Sequence, residues 1–290
     1  MRIDLHTHSA VSDGPDSPTA LIRAAYDAGL DVVALTDHDA VAGWAEAQDA
    51  AERLGVEFVP GSEISTKLYG TGLHLLGYWF DPEYLPLKNV LIDIRVHRER
   101  RLDRIIDALT AAGVPVTIDE VHAEAQDADA VGRPHVADAL VRKGLAVDRT
   151  EAFDRWLAEG RPGGVRKHAP DVHQVIELVQ AAGGVSVLAH PWGRKSRSVL
   201  SPEVIRELRG VGLAGIEVEH EDHDAPTRAA LRELAADLDL VVTGSSDYHG
   251  VGKPDHQLGR NTTDPAEYRR LQARAAGNAR QAAAREGRRR

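Results

Sequence analysis

The chain has no cysteine and only 13 aromatic residues among 290. It also lacks any apolar run approaching the roughly 20 residues that a membrane-spanning helix needs. The missing thiols exclude disulfides, cysteine-bound zinc, iron–sulfur clusters and thiol nucleophiles, so any metal must be held by imidazole and carboxylate. The polar start Met1-Arg2-Ile3-Asp4 has no signal-peptide apolar region. A soluble, cytoplasmic protein with no membrane partner is the default expectation. An excess of positive charge is lacking too: the formal net charge of −10 argues against a broad nucleic-acid-binding surface, duplex DNA included. That average hides an asymmetry. Residues 265–290 carry eight Arg against two Glu, leaving a net −16 on residues 1–264, and this basic end reads as a frayed, solvated helix, with contact to RNA or an acidic surface as the alternative.

What the chain does have is histidine, 14 residues of it, within an ordinary globular composition of 42% hydrophobic and 28% charged residues. The length suits one large α/β domain or two smaller ones. Oligomeric state is left open.

Seven short runs rich in β-branched residues read as strands: 3–5, 32–36, 58–60, 73–76, 185–189, 216–218 and 240–243. Helical patterns separate most of them, at 44–54, 172–182, 202–209 and 226–236. An earlier helix is framed by Ser17 as N-cap, Pro18 at the first turn and Gly29 as stop. Repeated strand–helix units predict parallel strands joined by helical crossovers, and about seven of them predict a barrel. The alternation stops over residues 87–167, where helical spacing at 90–112, 118–125, 135–143 and 150–158 predicts an inserted helical subdomain. The barrel is then discontinuous, made of residues 1–86 and 168–290.

The predicted strands lead into histidines and carboxylates. The first opens Asp4-Leu5-His6-Thr7-His8-Ser9, followed by Asp13, and the second ends Thr36-Asp37-His38-Asp39. Glu63 follows the third strand and His74 lies in the fourth. Later strands end in His190-Pro191 and in Ser246-Asp247-Tyr248-His249. In an extended segment alternate side chains share a face, so His6 and His8 can grip one ion together. A parallel barrel gathers strand ends at one mouth. Burying six imidazoles and three carboxylates there unpaired would be very costly, which predicts ions. Mixed nitrogen and oxygen donors suit Mn²⁺, Fe²⁺ or Zn²⁺ better than an all-oxygen site would, and nine ligands imply two or three ions.

Asp-Leu-His-Thr-His-Ser, Thr-Asp-His-Asp, His-Pro and Ser-Asp-Tyr-His together resemble the four motifs of the PHP (polymerase and histidinol phosphatase) superfamily. The resemblance spans residues 1 to about 80 and 168–255. It implies a distorted (β/α)₇ TIM-like barrel with a trinuclear site, Mn²⁺ first and Fe²⁺, Zn²⁺ or Mg²⁺ as alternatives. Carried onto matching positions, it implies that His6, His8, Glu63 and Asp247 hold one ion. Glu63 would share a second with His74 and His190, and Asp13, His38 and His249 would hold the third. The insert and Gly132-Arg133-Pro134-His135 are similar to the branch acting on nucleotides, whose members remove the 3′-phosphate of nucleoside 3′,5′-bisphosphates or trim RNA from its 5′ end.

The expected reaction is hydrolysis of a nucleotide phosphate monoester by water that metal coordination has activated near neutral pH. Arg98 and Arg101, one helical turn apart, and Arg133 and His135, at a helix start, are expected to receive phosphate, as are Arg194 and Arg197 beyond His190. His135 or His223 is the expected proton donor. His220 is a further candidate for substrate contact, and His97, His122, His168, His173 and His256 read as structural. Three alternatives stand beside bisphosphate hydrolysis: 5′–3′ exoribonuclease action on short RNA, histidinol phosphate hydrolysis, and a metal-stabilised binding module without turnover.

Overall fold

The computed structural model describes residues 1–125, 131–158, 160–165, 168–193, 196–250 and 255–287. Seven strands lie in sequence order in one sheet: β1 (Ile3–Asp4), β2 (Val32–Leu35), β3 (Glu57–Leu68), β4 (Thr71–Tyr78), β5 (Val185–Leu188), β6 (Gly215–Glu219) and β7 (Val241–Gly244). The sheet nearly closes on itself. Thr7 forms a parallel bridge to Tyr248, and the His8 amide donates to the Tyr248 carbonyl at 3.0 Å. With helices around it, this is the expected distorted TIM-like barrel.

The expectation of parallel strands throughout is corrected at β4, which pairs antiparallel with both β3 and β5. The third strand, expected to end at Pro60, runs on to Leu68 and reverses through Tyr69 and Gly70, with φ of 48° and 84°. Two left-handed residues make a type I′ hairpin turn, whose twist matches the flanking strands. A parallel return would need a crossover of about a dozen residues or more, so a two-residue link leaves only the antiparallel one.

Strands β2 and β5 are buried along their whole length, as expected for strands covered on both faces. Val32 and Ala34 pack with Ile3, Leu76, Tyr78 and Val187, while Val33 and Leu35, on the opposite face, pack on α1 (Pro18–Asp27) and α2 (Trp44–Leu54). The Ser17 hydroxyl caps α1 by accepting from the Ala20 amide at 3.2 Å. Helix α3 (Leu85–Ala111) follows β4, and the chain divides into two compact units: Met1–Leu91 with Ala169–Arg290, and Ile92–His168.

Within the second unit, Leu102, Ile105 and Leu109 of α3 pack with Val121 of α4 (Ile118–Ala125), Val136 and Leu140 of α5 (Arg133–Arg142), and Ala152, which closes α6 (Arg149–Ala152). The barrel unit continues with α7 (Val172–Ala181), α8 (Pro202–Val211), α9 (Ala225–Asp237) and α10 (Pro265–Gly287). No described helix is long and apolar enough to cross a membrane.

The reading of the basic end as a frayed, solvated helix is corrected for the first half of α10. Tyr268, Leu271 and Ala275 recur at helical spacing and join the barrel core, and Tyr268 Oη donates to Glu57 at 2.6 Å. Arg270 and Arg274 pair with Asp239 at 2.7 and 2.9 Å, so part of the positive charge is spent on docking. Replacing fully buried Leu271 by alanine is therefore expected to cost about 2–4 kcal/mol in denaturant unfolding. A change under about 0.5 kcal/mol, the usual range for exposed positions, would show that the helix is not docked.

Candidate metal centre

Local bonding explains why the polar strand ends face one another. Between His6 and His8, Thr7 turns the other way: its hydroxyl donates to the Ala34 carbonyl at 2.6 Å and its amide donates to Thr36 Oγ1 at 3.2 Å. The two imidazoles are thereby left on the same side, fully buried. In Thr36-Asp37-His38-Asp39 the carboxylates are clamps. Asp37 accepts from the Ser9 amide and hydroxyl and from the Ser12 hydroxyl at 2.7–2.8 Å, which folds the loop leading to Asp13. Asp39 accepts from the Ser65 amide at 2.6 Å and the Ser65 hydroxyl at 2.9 Å, fixing β3 beside Glu63. His190 and Asp247 both sit at positive φ, 28° and 51°, a strained backbone that surrounding structure must hold in place.

The nine expected residues form one connected network around Glu63. Its Oε2 lies 3.3 Å from His6 Nε2, 3.3 Å from His8 Nε2 and 3.1 Å from His38 Nδ1, while Oε1 lies 2.6 Å from His74 Nδ1 and 3.1 Å from His190 Nε2. Each oxygen thus faces its own set of imidazoles. Asp247 Oδ1 stands 3.4–3.5 Å from nitrogens of His6, His8 and His249, and Asp13 stands 3.3–3.6 Å from nitrogens of His8, His38 and His249. Two sets of close donor atoms result, His6, His8, Glu63 and Asp247, and His8, Asp13, His38 and His249; a third joins Glu63 and His74 to His38.

Does this donor set fit divalent ions? His6 Nε2, His8 Nε2 and His38 Nδ1 are buried, point at carboxylates and make no hydrogen bond. Ligands bound at about 2.0–2.2 Å stand roughly 3.0–3.6 Å from one another, the spacing found in this network at every contact given above but the 2.6 Å one between Glu63 and His74. The outer nitrogens also have suitable partners. His6 Nδ1 donates to Glu217 at 3.1 Å and His249 Nδ1 to the Asp247 carbonyl at 2.8 Å, each leaving Nε2 with its lone pair inward. The residues fit the ions.

Charge states follow from burial set against neighbours. Burial opposes the imidazolium of His6, but Glu63, Glu217 and Asp247 outweigh it and hold the pKa well above the ordinary value. His8 is balanced the same way and is pushed up to about 9, chiefly by Asp247 and Glu63. Burial prevails at His38 and His249 and lowers both pKa values. Burial likewise opposes ionisation of Glu63 and Asp13, yet the imidazoles, His74 first for Glu63 and His38 first for Asp13, keep both ionised well below the usual carboxylate range.

Glu217 was not visible from sequence. It receives His6 Nδ1–H, the His190 amide at 2.8 Å and the Ser245 hydroxyl, tying together the ends of β1, β5 and β7. In the alternating Gly215–Glu219 strand it reads as a solvent-facing residue, and only the burial of both strand faces reveals otherwise. His220 and His256 lie 3.6 and 3.8 Å from Asp247 Oδ2. His220 is not a ligand through Nε2, because its Nδ1 accepts from the Asp222 amide at 3.0 Å, which places the ring proton on Nε2.

The expected substrate residues are placed as follows. His223 is buried in the barrel unit, with Nδ1 donating to the Val218 carbonyl at 2.9 Å. Arg197 is exposed, its guanidinium 5.0 Å above the Trp192 ring, and Arg194 lies outside the described residues. The remaining four belong to the insert unit. Arg98 is half-buried on α3, Arg101 donates twice to the Val165 carbonyl at 2.7 and 2.9 Å, and Arg133 lies 5.7 Å over the Phe153 ring. His135 Nδ1 accepts the Gly132 amide at 3.1 Å and so caps α5.

Comparison with known proteins bears on this arrangement. A family model for the PHP domain matches residues 4–155, more than half of the chain. The chain belongs to the PHP domain family. It is 36% identical over 248 residues to a 5′-3′ exoribonuclease of Haemophilus influenzae, covering 86% of this chain and 90% of that one. Identity is 31% over 263 residues to a 3′,5′-nucleoside bisphosphate phosphatase of Chromobacterium violaceum, covering 91% and 92%. Among solved structures, a Bifidobacterium adolescentis protein assigned as a metal-dependent phosphoesterase superposes with a TM-score of 0.83 at 36% identity, covering 94% and 96%.

Two outcomes are expected of this PHP site. Glu217→Gln removes the charge that orients His6 and should weaken Mn²⁺ binding about 10–100-fold, read by equilibrium dialysis. Because protons and ions compete for His6 and His8, Mn²⁺ affinity should climb by up to about tenfold per proton displaced for each pH unit between about 6 and 8. A flat profile would show that neither nitrogen binds the ion.

Proposed function

We propose that this PHP phosphoesterase removes the 3′-phosphate from nucleoside 3′,5′-bisphosphates. Metal-dependent hydrolysis of phosphate esters is the family's chemistry, and the observation that carries it here is the buried Glu63 carboxylate with imidazoles on both oxygens. We assign His6, His8, Glu63 and Asp247 to one ion, Glu63, His74 and His190 to a second, and Asp13, His38 and His249 to a third, Mn²⁺ being the favoured metal for this nitrogen–oxygen mixture. Bound divalent ions supply Lewis-acid charge at phosphoryl oxygens and make water a competent nucleophile at neutral pH.

The chain's own groups supply the rest. Asp13, Glu63 and Asp247 fix the positions at which positive charge is held, and the Thr7, Asp37, Asp39 and Glu217 bonds keep those positions preorganised. The two expected proton donors are not equivalent. His223 has its ring proton on Nδ1 and burial lowers its pKa, so its buried Nε2 presents a lone pair rather than a proton and does not suit the donor role. His135, in the insert unit, has the opposite tautomer, with its proton on Nε2, which makes it the one of the two able to donate.

Support for a nucleotide with two phosphates comes from the insert unit. Among the described residues Arg101 and Arg133 have no carboxylate partner. Burial, with the charges of Arg133, Arg98 and Arg104 added, pushes Arg101 down to about 10. Two guanidinium groups without a carboxylate partner, Arg101 and Arg133, favour an anion. The exoribonuclease reading rests on the Haemophilus influenzae relative and predicts a different product.

Adenosine 3′,5′-bisphosphate and a 5′-phosphorylated RNA oligomer compared at equal concentration separate the two. Inorganic phosphate should leave the bisphosphate; mononucleotides from RNA with no phosphate from the bisphosphate would overturn the proposal. Arg101→Met should raise KM about tenfold with kcat within about twofold, the mark of a lost charged contact made equally in ground and transition states.

A further inference from the structure

The insert unit holds a second group of metal-ligating side chains, built from histidines that the sequence reading left as structural. Asp93 and His97 stand one turn apart on α3, and His168 comes from the far end of the unit, 75 residues beyond Asp93. Both imidazoles turn Nε2 toward the same carboxylate. His168 Nε2 lies 2.9 Å from Asp93 Oδ2 and His97 Nε2 lies 3.5 Å from Asp93 Oδ1. The rings are tilted by 32° with their centroids 4.0 Å apart, and the three donor atoms are within 4.8 Å of one another.

A hydrogen bond accounts for the His168 contact at 2.9 Å, whereas the His97 contact at 3.5 Å is not one. Two imidazoliums at this distance would repel, and two Nε2 atoms converging on the two oxygens of one carboxylate suit a shared cation. Donor separations of about 3.0–3.5 Å are those of imidazole and carboxylate sharing a zinc ion. Two further facts favour an ion over a proton. Among the described residues, Asp93 has these imidazoles and no Lys or Arg as ion-pair partners. No hydrogen bond from the described residues engages Nδ1 of either ring, so both can carry the proton there and present the Nε2 lone pair, which His220 cannot.

We infer that Asp93, His97 and His168 form a further metal site, for Zn²⁺ or a neighbouring late first-row divalent ion, that shares no residue with the barrel centre. Two imidazoles with one carboxylate select such ions over Mg²⁺ or Ca²⁺. Three protein donors on a partly exposed surface leave a coordination position for water or an outside ligand. Joining α3 to the last residue of the unit, the ion ties down the chain as it leaves the insert.

The test is a count of ions on the full chain, stripped by chelator and dialysed against Zn²⁺. His97→Ala and His168→Ala should each bind one ion fewer than the wild type. His173→Ala, which removes a surface histidine paired with Asp171 and Glu207, should bind the wild-type number. Equal numbers in all four proteins would overturn the inference. A readout without substitutions guards against misfolded variants: Zn²⁺ should protect His97 and His168 of the wild type from diethyl pyrocarbonate severalfold, measured by mass spectrometry. Unchanged labelling of both residues would overturn it as well.

Discussion

The barrel is organised around one buried carboxylate. Glu63 is almost wholly inaccessible, and taking an ionised carboxyl group out of water costs several kcal/mol unless opposite charge and hydrogen bonds replace the solvent. Five imidazoles do so here, delivered by the ends of β1 and β2, by β4 and by the end of β5. A group with that many obligatory partners constrains every strand that reaches it. The constraint is met by bonds that never touch Glu63, those of Thr7, Asp37, Asp39 and Glu217, and by left-handed backbone at Asp39, His190 and Asp247. Strain of this kind persists only where the surroundings over-determine it, and here they do.

The hairpin follows from the same demand. In the antiparallel register Ser65 faces His74 and Glu63 faces Leu76, so Glu63 and His74 are diagonal neighbours on one face. Their side chains meet at 2.6 Å. The single break in the parallel pattern therefore brings two adjacent strands to the same centre. Gly61 makes the approach possible, since a Cβ there would come within 2.9 Å of both Thr36 and Tyr78 side-chain atoms.

These particulars explain which parts of the protein were legible in the sequence. Histidines at strand ends are visible because strands are short apolar runs and an ionisable residue closing one needs a reason; all nine expected residues come together accordingly. The antiparallel strand was hidden because Pro60-Gly61 imitates a turn, while the true turn, Tyr69-Gly70, carries a weaker signal. The clamps were hidden for a deeper reason. Asp37 and Asp39 flank a ligand and look like ligands, and what distinguishes them is where hydroxyl and amide donors from Ser9, Ser12 and Ser65 fall in space. Docking of α10 depends on three residues in a chain end otherwise rich in Ala and Arg, too sparse a stripe to outweigh composition.

Charge raises the last question, because an acidic chain must receive an anionic substrate. Glu63, Asp13 and Asp247 face the cage directly, and Glu217, ionised behind His6, adds a fourth negative charge within the same buried volume. Two divalent ions would only neutralise these four charges, whereas a third would turn the site positive. On the proposed three-ion assignment, phosphate affinity would then depend on the last ion bound more than on the first two. Of the three proposed positions the one at Asp13 is the most open, its side chain being the most exposed of the nine, at 35%. On the three-ion assignment proposed above, occupancy of this outer position would decide whether the mouth attracts phosphate or repels it.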